Sequence, residues 1–233
     1  MPLAAERCTV NPPLSAGEVH FLWWFIQGSV MQPETRRRLV LGWGMCERHA
    51  FGALAAEAAF RHGYLHGPAI LYEDLMKRAA HALDAAGPMA GARAVRRLRS
   101  RAVCLMCELR YGPDSQGFIS AERLAAGRDP SSVRDFLGRS ERYWRVAVCG
   151  RCAVTGAAAR CRLHLLGDLR SDPQVPFAPH RVLVEKILAR VRRYSHSFCW
   201  EARGTDTEED RAALVSAVGW CGGWRALLGC VGE

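Results

Sequence analysis

The chain has 233 residues, 49% of them hydrophobic, ten cysteines and a formal net charge of +9. That length and apolar content suffice for a core without disulfides. No apolar run approaches the roughly 18 residues a membrane span needs, and the longest, Phe21–Ile26, is far too short. The opening MPLAAERC lacks the basic start and apolar stretch of a secretory signal, so a cytoplasmic, reduced protein is expected. The positive charge permits an acidic partner such as nucleic acid. It is spread broadly and carried by Arg in an Arg- and Ala-rich, bacterial-type composition, so a solvated surface is the preferred reading.

The elements read as mostly helix. Ser15 and Glu18 stand at capping-box spacing before an apolar run from Val19 to Val30. Pro33 suits the first turn of the next helix, which carries Arg36–Leu41. Gly42 and Gly44 break the pattern, and Cys46 opens an Ala-rich segment reaching about Arg61. His62-Gly63 and His66-Gly67-Pro68 are turn signals, and Pro68 starts an amphipathic helix with Leu71, Leu75, Ala79 and Leu83 on one face. Ala85–Gly91 reads as a linker, followed by five arginines between Arg93 and Arg101. Asp129-Pro130 starts a helix reaching about Ala147. Arg145–Cys149 is the best strand candidate. Pro173, Pro176 and Pro179 form a loop leading into a helix over 180–194. Thr207, with Glu208 and Glu209 behind it, opens a final helix.

One line is written twice. Residues 46–54 (CERHAFGAL) and 161–169 (CRLHLLGDL) both fit C-x-x-H-x-x-G-x-L. Downstream, Ile70–Ala79 aligns with Val182–Val191 in the same apolar phase, with Glu73 matching Glu185. Upstream, Cys104-Leu-Met-Cys107 faces Cys8-Thr-Val-Asn11. The expected fold is an all-α helical bundle of two related halves. Residues 1–86 form the first repeat, 87–101 a basic linker, 102–200 the second repeat, and 201–233 a C-terminal helix packed on the bundle.

The repeated residues are metal ligands in type and spacing. C-x-x-C bends around one ion, C-x-x-H at a helix start places both side chains on one face, and two such pairs close a tetrahedral zinc site. The duplication favours Cys104, Cys107, Cys161 and His164 as the complete set. Cys149 and Cys152 offer an alternative, because with Cys161 and His164 they spell the compact C-x2-C-x8-C-x2-H. Cys149-Gly-Arg-Cys152 can also be read as a redox pair. In the first half Cys8, Cys46 and His49 supply three ligands, with Asn11 where the fourth would be. His20 or Glu18 completes that site, water fills an open catalytic position, or the site is empty. Glu73 and Glu185 are either outer partners of a metal-bound His or helix-surface residues. The lone Cys199, Cys221 and Cys230 read as buried small hydrophobes. Trp23 and Trp24 read as core.

Two halves with C-x-x-C, then G-x-C-x-x-H as at Gly44–His49, then an I-x-Y-E-D-L-like helix, resemble a large group of uncharacterised bacterial proteins. That group, a domain of unknown function, carries CPxC and GxCxxH motifs. The likeness spans most of the chain and implies fold and metal rather than activity; Asn11 and the CGRC insertion depart from the pattern. The expected function is a zinc-stabilised binding or adaptor module for an unknown protein or small-molecule partner. The alternatives are a metalloenzyme with an open site at Cys8, Cys46 and His49, and a thiol redox protein using Cys149 and Cys152.

Overall fold

The structure, a computed structural model, describes residues 13–60, 65–153 and 157–231. Among these residues all regular secondary structure is helical, with no strand. The elements are α1 (Ala16–Ile26), α2 (Pro33–Gly42), α3 (Glu47–Phe60), α4 (His66–Leu83), α5 (Ala90–Leu98) and the short α6 (Leu105–Glu108). There follow α7 (Ala121–Arg128), α8 (Ser131–Trp144), α9 (Arg162–Ser171), α10 (Ala178–His196), α11 (Glu208–Gly222) and α12 (Arg225–Val231). No described helix is long and apolar enough to cross a membrane.

Local signals account for most boundaries. The Ser15 hydroxyl accepts the Glu18 N–H and the Glu18 carboxylate accepts the Ser15 N–H, the reciprocal box expected at α1. The apolar run does not carry that helix to Val30. It stops at Ile26, because Gly28 turns to φ 124° and a 3-10 turn follows at Ser29–Met31. Pro33 occupies the first turn of α2 as expected. The Pro68 helix begins earlier, so the His66-Gly67-Pro68 turn is the first turn of α4; His62-Gly63 lies outside the described residues. The expected strand at Arg145–Cys149 is instead a 3-10 turn, Arg145–Ala147, continuing α8 into a loop. Residues 90–98 of the expected linker form α5, with Gly91, Ala94 and Leu98 buried and the arginines on its outer face.

α11 is the central helix. Its residues from Ala212 to Cys221 are all buried, the signature of a helix enclosed on every side. It packs against α4, α8 and α10, while α10 also lies along α4. α3 joins α11 to an outer group of α1, α7 and α8. One hydrophobic core runs from Leu14 to Cys230 and encloses Trp43, Trp144, Trp220 and Trp224. Residues before and after position 100 contribute to it together, through α4 against α10 and α5 against α9.

Candidate metal centres

Eight ligand residues gather into two clusters, each of three cysteines and one histidine. The first joins Cys46 and His49 to Cys104 and Cys107. The second joins Cys149 and Cys152 to Cys161 and His164. Within each cluster the donor atoms all lie within 4.8 Å of one another.

Each C-x-x-H sits at a helix start. Cys46 directly precedes α3, and its carbonyl accepts the Ala50 N–H at 2.8 Å. Cys161 is the N-cap of α9, and its carbonyl accepts the Leu165 N–H at 2.9 Å. The following histidine lies one turn on, so its imidazole returns to the cysteine: Sγ to Nδ1 is 3.3 Å in both. Each C-x-x-C is a single turn. Cys104 caps α6 and Cys107 lies within it. The Cys152 N–H donates to the Cys149 carbonyl at 2.8 Å, and the Arg151 N–H donates to the Cys149 sulfur at 3.4 Å.

The spacing is that of ligands around one small ion. Zn–S bonds of about 2.3 Å and Zn–N bonds of about 2.0–2.1 Å at tetrahedral angles place sulfurs roughly 3.8 Å apart and sulfur and nitrogen roughly 3.5 Å apart. In the first cluster His49 Nδ1 lies 3.3 Å from Cys104 and 3.5 Å from Cys107, and Cys46 to Cys107 is 3.9 Å. In the second, His164 Nδ1 lies 3.3 Å from Cys149, Cys152 and Cys161 alike, and Cys152 to Cys161 is 3.8 Å.

The titratable groups within each cluster act strongly on one another. Hydrogen bonding from Cys46, against burial and with help from His49, lowers the Cys104 thiol to about 3. The Cys104 interaction and burial push Cys46 up; burial and the Cys104 charge push Cys107 up. Burial draws His49 down, but Cys104 and Glu18 outweigh it and lift the ring to about 9. In the second cluster Cys152 and Cys161 hold Cys149 low, while Cys152 is pushed up and Cys161 is pushed up to about 11. A cation among the sulfurs would favour ionisation of the thiols that their neighbours hold protonated.

The sequence-derived ligands divide accordingly. Cys104, Cys107, Cys161 and His164 do not form one set: the first pair lies with Cys46 and His49, the second with Cys149 and Cys152. Only eight residues separate Cys152 from Cys161. Closing that short loop costs about 1–2 kcal/mol less than closing the one back to Cys107. Cys46 and His49 are not left with an open position, since Cys104 and Cys107 complete their tetrahedron; Cys8 and Asn11 lie outside the described residues. Cys149 and Cys152 are two corners of a four-ligand cluster rather than an isolated dithiol.

Glu18 is no ligand. It accepts from His49 Nε2 at 3.0 Å, on the ring edge facing away from the sulfurs, and Arg48 pairs with both its oxygens at 2.7 Å. Burial raises the Glu18 carboxyl, but Arg48, His49 and the Ser15 N–H together hold it well below the usual carboxylate range. A carboxylate so placed is what would orient the His49 imidazole if the cluster held a metal. The capping-box spacing marked Glu18 as oriented, but not toward what. Glu73 instead meets Lys77, Ser195 and Arg192, and Glu185 is exposed. His20 bonds to the Phe118 carbonyl at 2.7 Å, outside either cluster. Of the remaining cysteines Cys221 and Cys230 are buried as expected, whereas Cys199 is exposed. Trp23 packs on Phe60, while Trp24 is half-exposed.

The buried Arg162, next to Cys161, ties the second cluster to the core. It donates to the carbonyls of Cys221 and Leu98 at 3.0 and 3.2 Å and lies over the Trp43 ring. Fold and clusters together define an all-α protein with two Cys3His sets able to hold metal. Compared with protein-family models, curated proteins and solved structures, the chain matches none.

Proposed function

We propose that the chain is a zinc-stabilised helical scaffold that acts as a binding or adaptor module, each Cys3His cluster holding one structural zinc ion. The carrying observation is that each cluster supplies four donors at tetrahedral spacing. A catalytic zinc site keeps a position open for water or substrate, and these sets leave none. Three thiolates and an imidazole favour zinc over magnesium or calcium, which prefer oxygen. Unoxidised thiols fit a reducing compartment, so the cytoplasm is the proposed location. The likeness to the bacterial CPxC and GxCxxH proteins and an origin by duplication belong to the same reading. Each cluster pairs one C-x-x-C with one C-x-x-H, although the order of the two motifs along the chain is reversed between clusters.

Reconstitution with cobalt tests this. Two equivalents of Co²⁺ should produce tetrahedral thiolate absorption, and stripping metal with a strong chelator should abolish much of the helical circular dichroism. Structural zinc is worth on the order of 10 kcal/mol in small peptide sites at neutral pH. Full helicity with all metal removed would refute a structural role.

A further inference from the structure

α3 leads from the first metal cluster to a second feature. Glu57 lies eight residues beyond His49 on this helix, a rise of about 12 Å. Its side chain is only 3% exposed. The Leu65 N–H donates to Oε1 at 3.1 Å, and among the described residues no arginine or lysine is paired with it. An ionised carboxylate so placed is costly without a cation.

Glu57 nevertheless opens onto a cleft between the end of α3, α8, the end of α10 and the loop before α11. Phe136, Tyr194 and Phe198 form apolar walls. The Phe198 ring is fixed by stacking on His66 at 4.4 Å and by a tilted contact with Tyr194 at 5.3 Å. At the mouth stand Arg139 and Arg203, both exposed and neither in an ion pair with a described residue. Of the other charged groups lining the cleft, Asp206 is neutralised by Arg211 and Asp135 stands at the rim. The cleft therefore has an acid in its floor, aromatic walls and surplus positive charge at its lip.

We propose that this cleft binds a small zwitterion, with an ammonium group against the Glu57 carboxylate and an anionic group held by Arg139 and Arg203. Aromatic walls suit the aliphatic stem of such a molecule and attract its cationic end. Burial pushes Glu57 up to about 8, so near neutrality the group is mostly a neutral acid. Docking of R–NH3⁺ then releases the carboxyl proton to solvent and leaves a carboxylate–ammonium pair, with charge balanced. The inference names a ligand for the proposed binding module and rests on the cleft alone. Metal content, measured on the same sample, separates its failure from that of the zinc reading.

The test is calorimetric titration of the full zinc-loaded chain with three matched probes: γ-aminobutyrate, n-butylamine and butyrate. γ-Aminobutyrate should bind, n-butylamine should bind about tenfold more weakly, and butyrate should not bind. Glu57→Gln should abolish binding of both amines. Exchanging Arg139 and Arg203 together for Ala, at exposed positions that folding tolerates, should reduce γ-aminobutyrate to the level of n-butylamine. Binding of none of the probes, butyrate binding as well as γ-aminobutyrate, or an unchanged Glu57→Gln variant would overturn the proposal.

Discussion

Glu18 carries more than its position in a cap suggests. It closes the box at α1, pairs with Arg48 and holds the far nitrogen of His49. Replacing it with Gln removes the charge but keeps the shape. The expected result is a loss of roughly 10–100-fold in zinc affinity at the first cluster, with the second unchanged, read by competition with a chelator of known strength. Glu57 makes a prediction about pH. Its folded-state value, about 8, lies above the ordinary 4.5. Below 4.5 both folded and unfolded states are protonated, and the group is neutral to stability. As pH rises from 4.5 to 8 the unfolded chain loses this proton and the folded chain keeps it, so stability falls across that window and stays lost above it. The loss is on the order of a few kcal/mol. Glu57→Gln should flatten this decline, as measured by denaturant unfolding on either side of the window.

Helix ends and helix contacts carry the next set of consequences. Thr207 and Asp210 cap the central α11 reciprocally, and Thr207→Ala should cost about 1 kcal/mol in chemical denaturation. Gly219 faces the Trp224 ring so closely that a Cβ would lie 2.5 Å from it. Gly219→Ala must displace the Trp224 ring, and about 1–3 kcal/mol of destabilisation is expected from the same measurement. These ends show what was legible in the sequence. The α1 box, the Pro33 start and the α10 and α11 starts follow from local chemistry, and the structure places them there. The end of α1, the arginine-rich α5 and the turn at Arg145 are less legible. Each depends on what the backbone packs against: Gly91 and Leu98 bury one face of α5, an arrangement the run of arginines conceals.

At the scale of the molecule, the residues of both clusters were legible as candidate ligands and the Cys149, Cys152, Cys161 and His164 set as one of two alternatives, but the partnership of Cys46 and His49 with Cys104 and Cys107 was not. Spacing identifies pairs but says nothing of which pairs meet in space. The internal similarity drew Cys104 and Cys107 toward Cys161, whereas the short loop had already given Cys161 and His164 a nearer pair. The local site takes Cys149 and Cys152, which leaves Cys104 and Cys107 for Cys46 and His49. The consequence is architectural. The first cluster ties α3 to the α6 turn across more than fifty residues, and the second anchors the start of α9, where Arg162 reaches into the core. Metal binding at either cluster should therefore raise the stability of the whole fold, because both attach to one core.

The most direct test is native mass spectrometry of the zinc-loaded chain alongside a variant combining His49→Ala and Cys104→Ser. Two separate sites with these partners require two zinc ions in the unaltered protein and one in the variant, since both exchanges fall in the first cluster. Loss of both ions would mean that Cys104 serves the Cys161–His164 site, and absence of zinc from the unaltered protein would contradict the metal reading altogether.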